Sequence, residues 1–267
     1  TNEINAIELT QNIRESYVKY LYTANSISDS EPELQQAFWD KLNSDFSVIQ
    51  GPFYHCTPCY KPDLTIQQVV SGEGPISLSQ KILDLPPDYF DPSRPLYSHQ
   101  VTAIKALQSG NNLVVATGTG SGKTECFLLP ILNSILLDPS PGLRAIIIYP
   151  MNALADDQLK RLRGLLATMP EVTFGRYTGD TPWDDRNQNN EDRLPNEMIN
   201  RQEIRQSPPH ILLTNFAMLE YLLLRPNDSS VFANQRLSHV VLDEAHTYSG
   251  AQGIEIAMLM RRLRQYL

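Results

Sequence analysis

Apolar residues along this chain follow two different patterns. In residues 1–45 they recur at helical spacing, first as Ile13, Tyr17, Tyr20 and Leu21, then as Leu34, Ala37, Phe38 and Leu42. This predicts two amphipathic helices, each stripe being a packing face. The second helix opens with "SEPELQQAFWDKL", which puts Ser30 and Glu33 in capping-box positions. Pro32 is tolerated there because first-turn N–H groups have no intrahelical acceptor. Residues 50–96 carry prolines between short apolar bursts and predict an irregular connector with one or two short helices. From about Asp91 the second pattern begins. "VTAIKALQSG" predicts a helix ending near Gly110. After it come five apolar runs of strand length, "NLVVAT", "RAIIIYP", "VTFGRYTG", "HILLTN" and "HVVLDEA", with helical segments between them. Strands alternating with helices predict an α/β fold, a mostly parallel sheet covered by helices on both faces. Residues 182–208 are polar and rich in Asn and Arg, and predict a mobile excursion. No internal repeat is visible.

The bulk properties narrow this picture. A chain of 267 residues with 41% hydrophobic content can bury a real core, as one large domain or two small ones. The formal net charge of −8 argues against a broadly basic protein that coats nucleic acid, but leaves room for a groove of local positive charge. Three cysteines, Cys56, Cys59 and Cys126, are too few and too odd for a disulfide scaffold and point to a reducing compartment. Cys56 and Cys59 form a CxxC without the second pair that a zinc ribbon needs, and His55 is too close to complete a standard site. The pair also lies in a Pro-rich stretch rather than beside a βαβ unit, so it reads as two ordinary thiols. No apolar run reaches the ~18–20 residues that span a bilayer. The opening "TNEINAIELTQ" lacks the basic and apolar regions of a signal peptide, and it starts at Thr rather than Met, as a trimmed chain would. A cytoplasmic location without a membrane partner is the expectation.

The chemistry concentrates in "ATGTGSGKT". Glycines at 118, 120 and 122 let backbone N–H groups turn toward a phosphate without Cβ clashes. The run sits where a predicted strand feeds a helix N-terminus, which favours an anion. The usual phosphate-loop spacing fails at its first position, Thr117, but Lys123 would still reach the β/γ-phosphates and the Thr124 hydroxyl would ligate Mg2+. Thr119 and Ser121 complete the loop. Downstream, "HVVLDEAH" puts Asp243 and Glu244 directly after an apolar strand, on the rim where open α/β sheets bind ligands. Asp243 would hold Mg2+, and Glu244 would orient and deprotonate an attacking water. A Gly-rich turn with a solvated lysine, or an ordinary acidic turn, would explain either feature alone; the two together favour a nucleotide site.

Together, "TGTGSGKT" and "DEAH" resemble motifs I and II of superfamily 2 helicases and translocases, a family that commonly has Ala or Thr at the position of Thr117. "LYSHQ" resembles the adenine-reading Q motif, with Gln100 as the base-reading amide and Tyr97 as a stacking partner. "YPMNALADDQ", "YTGDTP" and "ILLTNFAMLE" resemble motifs Ia, Ib and Ic, whose loops hold the sugar-phosphate backbone of one strand. The resemblance therefore implies nucleic-acid contact at Pro150, Asn152, Ala153, Gln158, Thr178, Gly179, Asp180, Thr214 and Asn215, and a coupling role for His246. Within the superfamily the chain is most similar to the RecQ-like DEAH group of bacterial DNA helicases with a C-terminal domain of unknown function, near phage-defence helicases of the DISARM and Druantia type.

The likeness covers residues 88–267, which it implies are a RecA-like P-loop ATP-binding domain. Residues 1–87 then form a helical and irregular accessory region. No Ser-Ala-Thr motif III and no second-domain motif follows "DEAH", and "RRLRQ" reads as cations at a helix end rather than as an arginine finger. The expectation is one half of a longer motor, with ATP and Mg2+ as cofactors. Its partners would be single-stranded DNA, a second RecA-like domain and subunits of a defence system. An RNA helicase and a nucleotide-gated DNA-binding scaffold without turnover stay open as alternatives.

Overall fold

The computed structural model of the chain describes residues 5–25, 27–44, 48–50, 53, 59–118, 120–184, 193–233 and 236–266. It divides into two compact units, Thr1–Cys59 and Tyr60–Leu267. In the first unit the two expected helices form as α1 (Ala6–Ala24) and α2 (Pro32–Asn43). Tyr22 packs edge-on against Trp39, with ring centroids 5.0 Å apart. The buried contacts differ from the expected stripes. Val18 and Leu42 are buried, while Ile13, Tyr17, Tyr20 and Leu34 are exposed. The capping box is also absent. The cap is Glu31, with Pro32 in the first turn, which leaves Glu33 one position too early to reciprocate, and the Ser30 hydroxyl pairs with that of Ser28 at 2.7 Å. Cys59 is exposed and unbridged, whereas His55 and Cys56 lie outside the described residues.

The second unit is a three-layer α/β structure. Its sheet contains β3 (Ala145–Tyr149), β4 (Phe174–Tyr177), β5 (Glu197–Met198), β6 (Ile211–Asn215) and β7 (His239–Leu242), in the order β5-β4-β6-β3-β7 with every pairing parallel. Parallel strands need crossovers, and the chain supplies α6 (Asn152–Leu166), α7 (Arg201–Gln206) and α8 (Phe216–Leu224) between them. Side chains alternate between faces along a strand. Ala145, Ile147, Tyr149, Phe174, Ile211 and Leu213 therefore enter one core, which α4 (Ser98–Gln108), α5 (Lys123–Leu137) and α6 complete through Ile104, Leu132 and Leu162. Ile146, Ile148, Tyr177 and Leu212 enter the other, closed by Ile204 of α7, Leu219 of α8 and Leu259 of α9 (Gly250–Tyr266). With both faces covered, β3 is buried at every residue, as its unbroken apolar run requires.

Two regions depart from the sequence reading. "NLVVAT" forms no strand: residues 111–118 lie outside the sheet, and Val114 is 91% exposed. An apolar run becomes a strand only where it pairs with an edge, and among the described residues the edge strand β7 is paired to β3 alone. The 182–208 stretch is folded where it is described, because β5 and α7 lie inside it. The 60–97 stretch holds the expected short helices, α3 (Ile66–Val70) and a 3-10 turn (Gln80–Asp84), but also an antiparallel pair, β1 (Pro62–Thr65) with β2 (Pro95–Tyr97). Ile66, Val69, Ile76, Leu78, Ile82 and Leu85 from this stretch join the first core.

Buried polar side chains seal the turns that join these layers. Asn196 is buried, and its Nδ2 lies 3.2, 3.0 and 2.9 Å from the carbonyls of Leu166, Met169 and Val172. Asn196→Ala strands these acceptors and is expected to lower unfolding free energy by about 2 kcal/mol in urea titration. His210 is buried, and its Nδ1 accepts the Thr173 N–H at 3.0 Å, which requires the neutral ring. Burial holds its pKa below 6.5. A base depressed in the folded state binds fewer protons there than in the unfolded chain. Its contribution is thus fully present above about pH 6.5 and is lost as pH falls through the folded value. The thermal midpoint is expected to drop on acidification below that pH, with a smaller drop in His210→Gln.

Candidate nucleotide site and the adjoining rim

The C-terminal ends of the parallel strands form one edge, and the register of β3 sets its levels. Tyr149 is level with Asn215, Ile148 with Leu242, and Thr214 with Tyr177. Asp243, Glu244, Pro150, Asn152, Thr178, Gly179, Asp180, Thr214 and Asn215 therefore all arrive at that edge, the one where open α/β sheets bind ligands.

The phosphate loop is latched to the element before it. Gly122 caps α5 in the left-handed region (φ 72°), and Gly120 is also left-handed (φ 74°). Gln100 is buried; its Oε1 accepts the Tyr97 N–H at 2.7 Å, and its Nε2 donates to the Gly122 carbonyl at 3.0 Å. His99 Nε2 bonds the Ser121 carbonyl at 2.9 Å. Inside the loop, the Thr117 and Ser121 hydroxyls pair at 2.6 Å, and Lys123 Nζ donates to the Thr117 carbonyl at 3.1 Å. Thr119 lies outside the described residues. Thr124 opens α5 behind Lys123, partly exposed. Tyr97 stacks on His99 (centroids 5.7 Å apart, 18° between planes), and Tyr60 leans on both rings at 5.3 Å. A Cβ at Gly118 would come within 2.9 Å of the Tyr60 hydroxyl. Tyr60 and His99 were missed by sequence reasoning. Tyr60 sits in the Pro-rich stretch, far from any motif, and only the β1–β2 pairing brings it to the loop.

Asp243 continues the ladder by donating its N–H to the Ile148 carbonyl at 3.0 Å. Burial raises its carboxyl pKa; the Glu244 charge adds to this, while the Glu244 N–H and the Lys123 ammonium oppose it. The lysine and the carboxylate of the two sequence motifs thus feel each other's field. Burial and the Asp243 charge also push up the phenols of Tyr149 and Tyr248. The Tyr248 hydroxyl is buried without a hydrogen-bond partner. Glu244 is the one non-glycine with positive φ among the described residues (φ 48°), a conformation worth roughly 1–3 kcal/mol of strain. His246 is exposed, with Nδ1 3.2 Å from Glu244 Oε2.

Next to this lies a polar rim. Asn215 Nδ2 donates to Asn152 Oδ1, and Asn152 Nδ2 donates to Asp180 Oδ2, both at 2.7 Å. One chain of amides therefore joins the loops after β6, β3 and β4. Asn215 also caps α8 by accepting the Met218 N–H at 2.7 Å. Gly179, Asp180 and Ala153 are exposed, and Pro150, Asn152, Gln158 and Asn215 are partly so. Thr178 and Thr214 are fully buried. The Thr214 hydroxyl is spent on the Tyr177 carbonyl at 2.7 Å, so these two threonines support the rim from below instead of facing solvent.

The residues present suit a nucleotide with a divalent cation. Gly120 leaves the loop open, and Lys123 donates to the Thr117 carbonyl from within the loop. Asp243 spends Oδ1 on the Glu244 N–H, and its carboxyl is raised in a way that a nearby cation would reverse. No group of three or more His, Cys, Asp or Glu is gathered for a metal among the described residues. This fits a cation shared between one or two protein oxygens and phosphates.

A phosphate loop opening a helix, carboxylates at a strand tip and a parallel sheet between two helical layers define a RecA-like nucleotide-binding domain. The family model "DEAD/DEAH box helicase" matches residues 97–267, and the chain belongs to that family. It is 28% identical to Druantia protein DruE of Escherichia coli (strain UMEA 4076-1), covering 83% of this chain and 18% of that protein. It is 34% identical to the uncharacterized ATP-dependent helicase YprA of Bacillus subtilis (strain 168), covering 64% of this chain and 20% of that one. Among solved structures it is similar to the DUF1998 helicase MrfA bound to DNA and AMPPNP, with a TM-score of 0.57 and 30% identity over 77% of this chain and 26% of that one. The chain spans about a fifth of the length of these curated relatives. No helix among the described residues is long and apolar enough to cross a membrane.

Among the described glycines of the loop, Gly122 has the least room for a side chain. A Cβ there would collide with Gln100 Nε2 and lie 2.7 Å from Glu125 Oε2, at a φ that side chains rarely adopt. Gly122→Ala is expected to weaken binding of a fluorescent ATP analogue about tenfold, the equivalent of ~1.4 kcal/mol.

Proposed function

We propose that this chain is the ATP-binding half of an ATP-dependent DNA helicase or translocase. The observation that carries the reading is the adjacency of two sites on one sheet edge. At the first, Asp243 at the tip of β7 lies within the field of Lys123 at the start of α5; at the second, the Asn215–Asn152–Asp180 chain ties three loops together. A conformational change at the first site can reach the second through β3, which pairs with β7 on one side and with β6 on the other.

In this reading Gln100 and Tyr97 receive the adenine, and the glycine loop from Thr117 to Gly122 wraps the phosphates. Lys123 neutralises the β/γ-phosphates, and the Thr124 hydroxyl and the Asp243 carboxylate hold the cation. Mg2+, when bound, supplies charge neutralisation on the phosphate oxygens. Glu244 orients a water and accepts its proton, and His246 couples the site to strand movement. Pro150, Asn152, Ala153, Gln158, Gly179, Asp180 and Asn215 grip the backbone of single-stranded DNA, with Thr178 and Thr214 bracing the grip. Such contacts are sequence-tolerant and salt-sensitive. A second RecA-like domain closes the nucleotide site and brings an arginine finger, as phosphoryl transfer in this class requires. Residues 88–267 form the motor domain and residues 1–87 an accessory region, of which residues 60–87 share the motor's core, in a cytoplasmic protein. The likeness to DruE supports a place in bacterial anti-phage defence, with partner subunits.

Lys123→Ala in the complete protein is expected to lower nucleic-acid-stimulated ATPase by at least about a hundredfold; unchanged activity would refute the assignment. Stronger stimulation by single-stranded RNA than DNA would make it an RNA helicase. Nucleotide binding without phosphate release would make it a gated scaffold.

A further inference from the structure

Trp183 stands three residues beyond Asp180 on the loop after β4, and it is 56% exposed. The side chain is nevertheless held in place. The Arg205 guanidinium lies over the indole, 4.5 Å from its centroid. Arg205 Nε donates to Asp228 Oδ1 at 2.6 Å, and the same fully buried carboxylate accepts the Tyr177 hydroxyl at 2.7 Å. A carboxylate in the second core thus anchors a guanidinium, and the guanidinium backs the indole. The loop backbone is pinned as well. Arg201 N–H donates to the Pro182 carbonyl at 2.9 Å, and Gln202 N–H to that of Trp183 at 3.3 Å. The Arg201 guanidinium gathers the carbonyls of Thr181, Thr178 and Gly179 at 2.9, 3.2 and 2.9 Å.

An indole that only filled space would be driven into the core, because burying that much apolar surface is strongly favourable. Here the buried groups are spent on holding it outside, three residues along the chain from Asp180 of the rim. A rigid aromatic face beside a backbone grip is the arrangement by which proteins hold unpaired bases, since every base offers a π-face.

We propose that Trp183 is a stacking platform for one unpaired nucleobase of the strand gripped by the rim. The inference rests on the nucleic-acid reading above and adds a base contact to it. A phosphate contact would show in the salt dependence of binding, whereas a stacking contact shows only when the base is present.

The test uses the complete protein with two strands of equal length, oligo-dT and the same backbone carrying abasic sites. Trp183→Ala is expected to weaken binding of oligo-dT about tenfold while leaving the abasic strand and the salt slope unchanged; Trp183→Phe is expected to retain most of the affinity. Equal losses on both strands, with a lowered unfolding midpoint, would make Trp183 a structural brace and overturn the proposal. Unchanged oligo-dT binding in Trp183→Ala would overturn it and leave the strand grip standing. Wild-type protein that binds neither strand would overturn both.

Discussion

Ala145–Tyr149 are hydrogen-bonded on both sides, to Ile211–Asn215 and to His239–Leu242, and every one of the five is buried. Buried backbone groups must be paired, so a one-residue slip of β3 would break two ladders and exchange its side chains between the two cores. That register is what brings Asp243 level with Tyr149 and Asn215, and through β6 it sets the height of the loop after β4. The Asp243 and Glu244 carboxylates and the Asn152 and Asn215 amides share one reference line because they share one central strand.

The phosphate loop is positioned by other means. Its leading segment takes no part in the sheet, so its place is set by α5 behind it and by two side chains of α4, Gln100 and His99, that bond its carbonyls. The left-handed glycines allow those carbonyls to turn toward α4. The aromatic group of Tyr60, Tyr97 and His99 closes the far side. The segment ahead of the family match therefore contributes a wall of the site, and its short β1–β2 pairing has a purpose beyond connection.

Much of this was legible in the sequence because it depends on local pattern. Four of the five apolar runs form strands, the helix "VTAIKALQSG" is α4, and the "DEAH" carboxylates follow a strand of the sheet. The failures share a cause: each depends on a neighbour that periodicity cannot show. "NLVVAT" has strand composition, but no edge pairs with it. Ser30 and Glu33 have capping-box spacing, but the helix begins one residue late. Residues 193–206 look like polar loop because their Arg, Asn and Glu side chains are spent on buried carbonyls and carboxylates, as Asn196 and Arg205 show. Thr178 and Thr214 sit in motifs read as contact loops, but strand register turns them inward. Tyr60 carries no motif, and His99 lies inside "LYSHQ" at a position given no role there.

The bare flank of β7 has a mechanical consequence. Among the described residues β7 is bonded only to β3, and Val240 in its middle is exposed. A strand clamped along one side resists bending less than one clamped along both. Lys123 stands on α5, whose apolar residues are packed into the first core, whereas Asp243 and Glu244 ride the tip of this half-clamped strand. The two sides of the candidate nucleotide site are therefore clamped differently. A load arriving with the nucleotide would be taken up mainly by the carboxylate jaw, with the phosphate loop acting as the anvil.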